Sequence, residues 1–321
     1  MNAQHPSIAI VGAGAVGGYY GARLAQHGHD VHFLLRGDYD AVRRNGLVVE
    51  SCDGDFRVPA ETVRVYDDVS RMPKADLVVV TLKSTSNDQL EPLVGPLLKD
   101  ESAVLTLQNG LGNEDRLAEL FGARRVLGGM AFVCINRVAP GVIRHTDHGI
   151  IRLGEFAVRE RTERARRVAG LFNASRVKCE VLDDLRFGRW QKLVWNVPFN
   201  GLGATLDLTT DRLVNTAEGL ALVRQLMEEV RAAARADGVD LPADLVDANI
   251  NNTLSMGPYK SSMQVDRQQG RAMEVEAILG EPLRRARAGG AQTPVLEALC
   301  RAARVVDAGI RIRGGAELAP A

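Results

Sequence analysis

Residues 7–17 read SIAIVGAGAVG, an apolar run of strand length that passes directly into a glycine-rich loop. Gly12, Gly14 and Gly17 form a GxGxxG pattern, and a helical stretch over 15–27 follows at once. This order is typical of a dinucleotide-binding unit, in which the glycines permit a tight turn, close approach of a pyrophosphate and close packing of the helix. A glycine-rich turn without a ligand is the alternative.

Short apolar runs and helical stretches alternate through the first half of the chain. Further strands are predicted over 30–35, 76–82 and 103–107. Strands that alternate with helices favour a parallel, doubly wound sheet. We therefore predict an α/β fold whose first domain, residues 1–183, is a Rossmann domain.

Two segments, residues 47–58 and 141–153, alternate with period two and carry Asp, Gly or His at their centres. This pattern predicts antiparallel hairpins at the edges of the sheet. His145 and His148 would lie in the second hairpin turn. With no partner cluster elsewhere in the sequence, they predict no metal site.

The strand pattern stops near residue 183. Apolar residues over 214–236 recur three and four positions apart, and Thr293-Pro294 is a typical helix start before another such run. We therefore predict an all-α second domain over residues 184–321.

Composition narrows the class of protein. The 321 residues include 40 Lys plus Arg and 40 Asp plus Glu, and this zero net charge argues against a nucleic-acid partner. Four scattered cysteines without a CxxC pair favour a reducing compartment. The sequence contains neither a signal-peptide pattern nor an apolar run of membrane-spanning length, so a cytoplasmic protein without a membrane partner is predicted.

Polar residues follow three predicted strands at their carboxyl ends, namely Arg36, Lys83 and Asn109. Ligands of parallel sheets bind outside these ends. An NAD site usually has Asp or Glu after the second strand, whereas Arg36 favours the 2′-phosphate of NADP. A solvated surface arginine and, for Asn109-Gly110, an ordinary turn are the alternatives.

The segment 190–200 reads WQKLVWNVPFN and places Lys192, Asn196 and Asn200 four residues apart. On a helix these side chains share one face, surrounded by apolar residues. Buried polar groups require partners, so either a ligand or a polar network between the domains is predicted here.

Two further polar features lie in the second half. Ser261 and Ser262 precede a helical run, where an N-cap is the ordinary role of serine. Glu274 lies beside apolar residues and is either a half-buried carboxylate or part of a solvated helix face.

Together these residues resemble the ketopantoate reductase family (2-dehydropantoate 2-reductases) over nearly the whole chain. In order, the motifs are GAGAVGG at 12–18, Arg36, Lys83, QNGLG at 108–112, K-x3-N-x3-N from Lys192, SSM-x2-D at 261–266, and Glu274. The family pairs a Rossmann domain with a helical domain like that of 6-phosphogluconate dehydrogenase, with the substrate in the cleft between them.

The resemblance implies NADPH-dependent reduction of a 2-oxo acid, 2-dehydropantoate, to pantoate. Lys192 is then the general acid, and Glu274 orients the lysine and the substrate hydroxyl. An unperturbed lysine is protonated at neutral pH, as this role requires. The other implied contacts are Asn109, Asn196, Asn200 and Ser262 for substrate or nicotinamide, and Gly12, Gly14, Gly17, Arg36, Lys83 and Asn109 for NADP.

Two other functions are weighed against this one. Another small 2-oxo acid is an alternative substrate, because Pro198 and Gly201 depart from the family pattern beside the implied substrate contacts. A regulator that only senses NADPH is the second alternative, although it would not need Lys192 and Glu274. Apolar helix faces in the second domain are also compatible with a homodimer.

Overall fold

The structure is a computed structural model that describes residues 6–313. The chain divides into two compact units. The first contains the described residues up to Gln108 together with Asn113–Leu185. The second contains Asn109–Gly112 and the described residues from Arg186 onward.

The first unit is built on one ten-stranded sheet, mostly parallel, with strand order β4-β3-β9-β8-β7-β6-β1-β2-β5 and β10 paired with β9. The strands are β1 (Ile8–Val11), β2 (Val31–Leu34), β3 (Leu47–Ser51), β4 (Phe56–Val58), β5 (Arg64–Tyr66), β6 (Ala75–Val80), β7 (Leu98–Thr106), β8 (Val126–Ala139), β9 (Val142–Glu155) and β10 (Cys179–Val181). The run from β5 to β8 is parallel throughout, which confirms the predicted Rossmann-type sheet.

Helices cover both faces of this sheet. They are α1 (Ala15–Gln26), α2 (Tyr39–Asn45), α3 (Leu90–Val94), α4 (Asn113–Phe121) and α5 (Glu163–Ala174). Because strand residues alternate between faces, Ile8 and Ile10 of β1 join the core beneath α1 and α5, whereas Ala9 and Val11 join the core beneath α3 and α4. The sheet is therefore buried on both sides, as a doubly wound fold requires.

One predicted hairpin is confirmed and the other is wrong. β3 and β4 pair antiparallel within 47–58. Residues 141–153 do not fold back on themselves; they belong to β9, which pairs antiparallel with β8 and follows a reversal at residues 140–141. The register shifts near Cys134, and His148 has a φ of 62°, so the Asp/His/Gly residues form a bulge within the strand pair.

The second unit is helical, and no strand occurs among its described residues. Its helices are α6 (Leu185–Leu206, which starts at the boundary), α7 (Thr210–Val214), α8 (Ala217–Ala236), α9 (Leu245–Met256), α10 (Ser262–Gln268), α11 (Glu281–Ala288) and α12 (Pro294–Arg313), with a π-helical segment over Glu276–Gly280. The predicted helix over 214–236 begins later, because the Thr216 side chain accepts the Gly219 N–H and caps α8.

Helix α6 provides part of the core of this unit. Trp190, Val194 and Val197 on it are buried and belong to the same apolar cluster as residues of α8, α10 and α12. The helix runs without interruption through Pro198, one of the two departures from the family pattern. None of the helices within residues 6–313 combines the length and apolar character needed to cross a membrane.

Candidate functional site

The glycine loop between β1 and α1 has the geometry of a phosphate cradle. Gly12 has a φ of 96°, and a Cβ there would lie 2.6 Å from the backbone nitrogen of Leu82. Its carbonyl accepts a hydrogen bond from the Thr81 hydroxyl at 2.8 Å. Gly17 packs against the same hydroxyl, which leaves no room for a side chain. Glycine is therefore required at both positions to hold helix against strand.

Gly14 is different, because a Cβ built on it would meet nothing closer than the Gly12 carbonyl oxygen at 4.0 Å. It is the exposed N-cap residue of α1 and provides no side-chain cap. The space around Gly14 is thus open at the N-terminus of α1, the positive end of the helix dipole. This arrangement fits the pyrophosphate of a dinucleotide.

Arg36 lies directly beyond β2 and is exposed. Within residues 6–313 its guanidinium forms neither an ion pair nor a hydrogen bond. Asp38, the nearest carboxylate in sequence, is turned away: it is buried and binds Arg137 at 2.6 Å and the Gly141 N–H at 3.2 Å. The end of β2 therefore presents a positive group, which suits a 2′-phosphate. Lys83, also exposed, occupies the N-cap position of a 3-10 helix after β6 without a side-chain capping bond.

The loop Asn109–Gly112 belongs to the second unit although it follows a strand of the first. Its Leu111 N–H donates to the Ala277 carbonyl in the π-helical segment at 2.9 Å. Gly110 has a φ of 87°, and a side chain there would collide with the same carbonyl. Gly110 is therefore a turn residue, as one of the two interpretations of Asn109-Gly110 predicted. The turn keeps Asn109 within the helical unit.

Lys192 on α6 donates a hydrogen bond from Nζ to Asn109 Oδ1 at 2.9 Å. The half-buried ammonium has lost much of its water, and this desolvation lowers the pKa of Lys192 to about 7. The positive charge of Arg189 lowers the pKa further, and the negative charge of Glu274 opposes both effects. The expectation of an ordinary lysine pKa is wrong, because the sequence does not reveal the burial of this group.

Glu274 is 2% exposed, which decides between its two interpretations in favour of a buried carboxylate. It lies just before the π-helical segment rather than inside a helix, and its carbonyl accepts the Ile278 N–H at 3.1 Å. Its charge acts on the Lys192 ammonium. Residues 82 positions apart are thus electrostatically coupled within one unit.

The remaining polar residues of α6 differ in their contacts. Asn196 is 6% exposed, and its side-chain amide has no hydrogen-bond partner in the part of the chain that the structure describes. Asn200 accepts hydrogen bonds from Ser262 Oγ and the Met263 N–H, both at 3.1 Å. Asn200 and Ser262 thus belong to a polar network inside the second unit, and Asn196 does not take part in it.

Two features were missed at the sequence level. Arg189 is 3% exposed and lies one helical turn before Lys192, a spacing that could have identified it. Cys52 and Asp53 lie beside His145. The prediction that this histidine has no cluster of possible metal ligands around it is therefore wrong. Ser261, in contrast, has the expected N-cap role, because its hydroxyl accepts the Gln264 N–H.

Comparison with known proteins gives consistent matches. Family models described as "Ketopantoate reductase PanE/ApbA" and its C-terminal part match residues 8–157 and 184–307. A 2-dehydropantoate 2-reductase of Nostoc sp. (strain PCC 7120) is 44% identical over 93% of this chain and 94% of its own length. A crystal structure of a 2-dehydropantoate 2-reductase from Geobacter metallireducens has a TM-score of 0.90 and 45% identity, covering 93% of this chain and 99% of that one. One from Methylococcus capsulatus has a TM-score of 0.86 and 33% identity, covering 95% and 97%.

Proposed function

Because the chain belongs to the ketopantoate reductase family and is an oxidoreductase, we propose that it reduces 2-dehydropantoate to pantoate with NADPH. The observation that carries this proposal is Lys192, whose desolvated ammonium is hydrogen-bonded to Asn109 and acted on by the charge of Glu274. A regulator that only senses NADPH would not need this arrangement, and the family assignment sets that alternative aside.

In this proposal the cofactor is held by the first unit. The α1 N-terminus and Gly14 accommodate the pyrophosphate, and Arg36 with Lys83 binds the 2′-phosphate or ribose. Bound NADPH supplies a hydride to the ketone carbon of the substrate. Asn109 is proposed to contact the nicotinamide or the substrate, since its Oδ1 already accepts from Lys192.

The proton comes from Lys192 Nζ. Negative charge develops on the carbonyl oxygen as the hydride arrives, and an ammonium group there stabilises that charge and donates its proton. The products are pantoate, NADP⁺ and neutral Lys192, which regains a proton from solvent. A pKa near 7 suits this cycle, because donor and acceptor forms are both populated at neutral pH.

Substrate positioning is assigned to the polar residues around the lysine. Glu274 accepts from the substrate hydroxyl and keeps the ammonium oriented, which a buried carboxylate can do at little entropic cost. Asn196 offers an amide without a protein partner in the described range 6–313. Asn200 and Ser262, already bonded to each other, present a fixed polar surface.

Another 2-oxo acid is the second candidate substrate. It was considered because Pro198 and Gly201 depart from the family pattern, and the structure gives a packing environment for both residues. A Cβ on Gly201 would lie 2.5 Å from Leu299 Cδ2, so glycine at this position is explained by packing against α12. Pro198 is accommodated within the continuous helix α6. Neither residue therefore requires a different substrate.

The test compares matched substrates. Oxidation of NADPH by the purified protein is followed with 2-dehydropantoate, with 3,3-dimethyl-2-oxobutanoate, which lacks only the hydroxyl, and with pyruvate. A site that binds the hydroxyl through a buried carboxylate should favour 2-dehydropantoate over its dehydroxy analogue by at least about 100-fold in kcat/KM. Equal rates for the pair would remove this substrate assignment and favour another 2-oxo acid.

The pKa of Lys192 predicts a pH profile. Reduction needs the ammonium form, which predominates below pH 7 and is lost as the pH rises through the lysine pKa of about 7. We expect kcat/KM for reduction to be level below that pH and to fall about tenfold per unit above it. Oxidation of pantoate needs the neutral amine, so its kcat/KM should rise about tenfold per unit below that pH and be level above it. A reduction profile that stays level to about pH 9 would exclude Lys192 as the acid.

We also propose a homodimer formed through α12. Val305 and Ile312 are 74% and 55% exposed and lie two helical turns apart on one face. In an antiparallel pair of copies centred on Val305, Ile312 would meet the small Ala298 of the second copy, so the face is self-complementary.

Sedimentation tests the dimer directly. A dimer is expected at micromolar concentration, and Val305→Asp should convert it to a monomer because it places two carboxylates at the centre of the contact. Arg166→Ala, an exposed arginine of α5 in the first unit and so outside the proposed contact, is the control. A monomeric unmodified protein would refute the dimer.

We also propose a cytoplasmic location. All four cysteines, Cys52, Cys134, Cys179 and Cys300, are free thiols in the structure. Unpaired thiols are usual where glutathione and thioredoxin keep proteins reduced. This supports the proposed cytoplasmic location.

A further inference from the structure

The turn between β3 and β4 brings a thiol and a carboxylate to a histidine of β9. Cys52 Sγ lies 3.7 Å from His145 Nδ1, and Asp53 Oδ2 lies 3.9 Å from the same nitrogen. All three atoms fall within 4.8 Å of one another. This cluster lies wholly in the first unit and shares no residue with the proposed reductase site.

The backbone around the cluster is tied down. β3 and β9 are parallel neighbours, with Ser51 opposite His145, and the Cys52 N–H donates to the His145 carbonyl at 3.1 Å. Two hydrogen bonds close the turn. The Gly54 N–H donates to the Ser51 carbonyl at 2.9 Å, and the Ser51 N–H donates to the Asp55 carboxylate at 2.7 Å. The three side chains therefore start from fixed positions.

The surroundings of His145 determine which ring nitrogen carries the proton. Nε2 lies 3.1 Å from the Asp147 carbonyl and 2.9 Å from the His148 carbonyl, and a carbonyl can only accept. Nε2 therefore carries the hydrogen, and Nδ1 presents its lone pair on the side where Ser51 Oγ lies at 2.9 Å and Cys52 and Asp53 lie next to it. The imidazole is fully buried and packs on the Tyr19 ring at 4.6 Å. Metal-binding histidines are typically held in this way, with the second nitrogen donating to a backbone carbonyl.

We propose that Cys52, Asp53 and His145 bind one divalent transition-metal ion of the Zn²⁺ class. Zinc takes thiolate, imidazole and carboxylate ligands at roughly 2.0–2.3 Å, which places tetrahedral ligand atoms about 3.3–3.6 Å apart. The separations of 3.7 and 3.9 Å from His145 Nδ1 need only small side-chain movements to reach this value, and the exposed Cys52 and Asp53 side chains, whose ligand atoms lie within 4.8 Å of each other, must approach each other as well. A water molecule or a solution ligand takes the fourth position.

Binding of the metal ion releases one proton and leaves no net charge on the ion and its ligands together. The metal forms a bond to Cys52 Sγ as the thiol loses its proton to solvent, and it replaces the Ser51 hydroxyl proton that Nδ1 otherwise accepts at 2.9 Å. The thiolate and Asp53 neutralise the two positive charges. The buried Arg23, 3.2 Å from Ser51 Oγ, opposes the cation, while the nearby carboxylates of Asp147 and Asp55 favour it.

A bound ion would cross-link the β3–β4 turn to β9 at the edge of the sheet. The ion joins an exposed turn to the buried His145 side chain of β9, which adds binding free energy to the folded state only. We therefore expect Zn²⁺ to raise the thermal unfolding temperature of the full-length protein without a need for substrate or NADPH.

Titration of the chelator-treated protein with Zn²⁺ against a chromophoric chelator tests the proposal. One Zn²⁺ per chain is expected. Loss of a residue that only hydrogen-bonds a metal ligand lowers metal affinity by about 10- to 100-fold. Cys52→Ser and Asp53→Asn each remove a ligand itself, so each should lower the affinity by more than that. Both residues are exposed, so the variants should fold. Cys134→Ser is the matched control and should bind normally, since Cys134 is not one of the three ligands.

Co²⁺ gives a second readout. The unmodified protein should show tetrahedral d–d bands and a thiolate charge-transfer band, and the latter should vanish in Cys52→Ser. The proposal is overturned if no Zn²⁺ binds, or if binding is equally strong in Cys52→Ser and in the unmodified protein.

Discussion

Replacing Lys192 by alanine is expected to lower kcat by about 10²–10⁴-fold, the usual contribution of a positioned acid. The loss arises because, in the proposed mechanism, the Lys192 ammonium both stabilises the developing oxyanion and donates its proton. NADPH affinity should be unchanged, since the glycine loop and Arg36 belong to the first unit. Steady-state turnover of 2-dehydropantoate and fluorescence titration of NADPH measure the two quantities. Lys260→Ala, an exposed lysine of the second unit, is the control.

Glu274→Ala, combined with Lys192→Ala, tests whether the two residues act as one unit. The single change at Glu274 should weaken substrate binding and turnover together. The double variant should lose less than the product of the two single losses, because groups that act together are not additive. Strictly multiplicative losses would mean independent roles. Near-normal turnover in Lys192→Ala would mean that the acid is another residue, with Lys83 the next candidate.

Arg36→Ala is expected to reduce the preference for NADPH over NADH by about 10- to 100-fold, the effect of losing one charge-assisted phosphate contact. The reason is that Arg36 is exposed at the end of β2 and has no protein partner within the described residues. NADH binding should change little, because the 2′-hydroxyl does not need a cation. Dissociation constants for both cofactors, measured at one fixed ionic strength, give the ratio.

Arg166→Ala is the matched control for Arg36, since it is an exposed arginine of α5 in the same unit. It should leave the cofactor ratio at its original value. Equal affinity of the unmodified protein for NADPH and NADH would contradict the role of Arg36 and the choice of NADP.

Local patterns predicted much of the fold because they depend on neighbours in sequence. The glycine loop requires small residues wherever a helix must approach a strand, and the structure has Gly12 and Gly17 at those contacts. The four-residue spacing of Lys192, Asn196 and Asn200 predicted one helix, and all three lie in α6. Ser261 was recognisable as an N-cap for the same reason.

Long-range arrangements were not predictable in this way. Residues 141–153 alternate like a hairpin, yet pairing with β8 extends them into one strand and turns the central residues into a bulge. The hydrogen bond from Lys192 to Asn109 joins residues 83 positions apart, and it depends on a loop that leaves one unit for the other. The lowered pKa of Lys192 follows from that burial and has no signature in sequence.

The cluster at His145 shows the same limit. Cys52 and Asp53 are 93 and 92 residues away from the histidine in the sequence, and only the parallel pairing of β3 with β9 brings them together. A spacing search for metal ligands finds neighbours along the chain, and these residues are neighbours only across strands.

Transfer of deuterium from NADPH labelled at the nicotinamide C4 shows whether the protein reduces 2-dehydropantoate by hydride transfer. The purified protein is incubated with 2-dehydropantoate and the reduced cofactor, labelled on either face in separate reactions, and the product is identified by mass spectrometry. We expect pantoate with one deuterium at C2 from one of the two labelled forms, and a much slower yield from Lys192→Ala. No pantoate, or pantoate without deuterium from either form, would contradict this expectation.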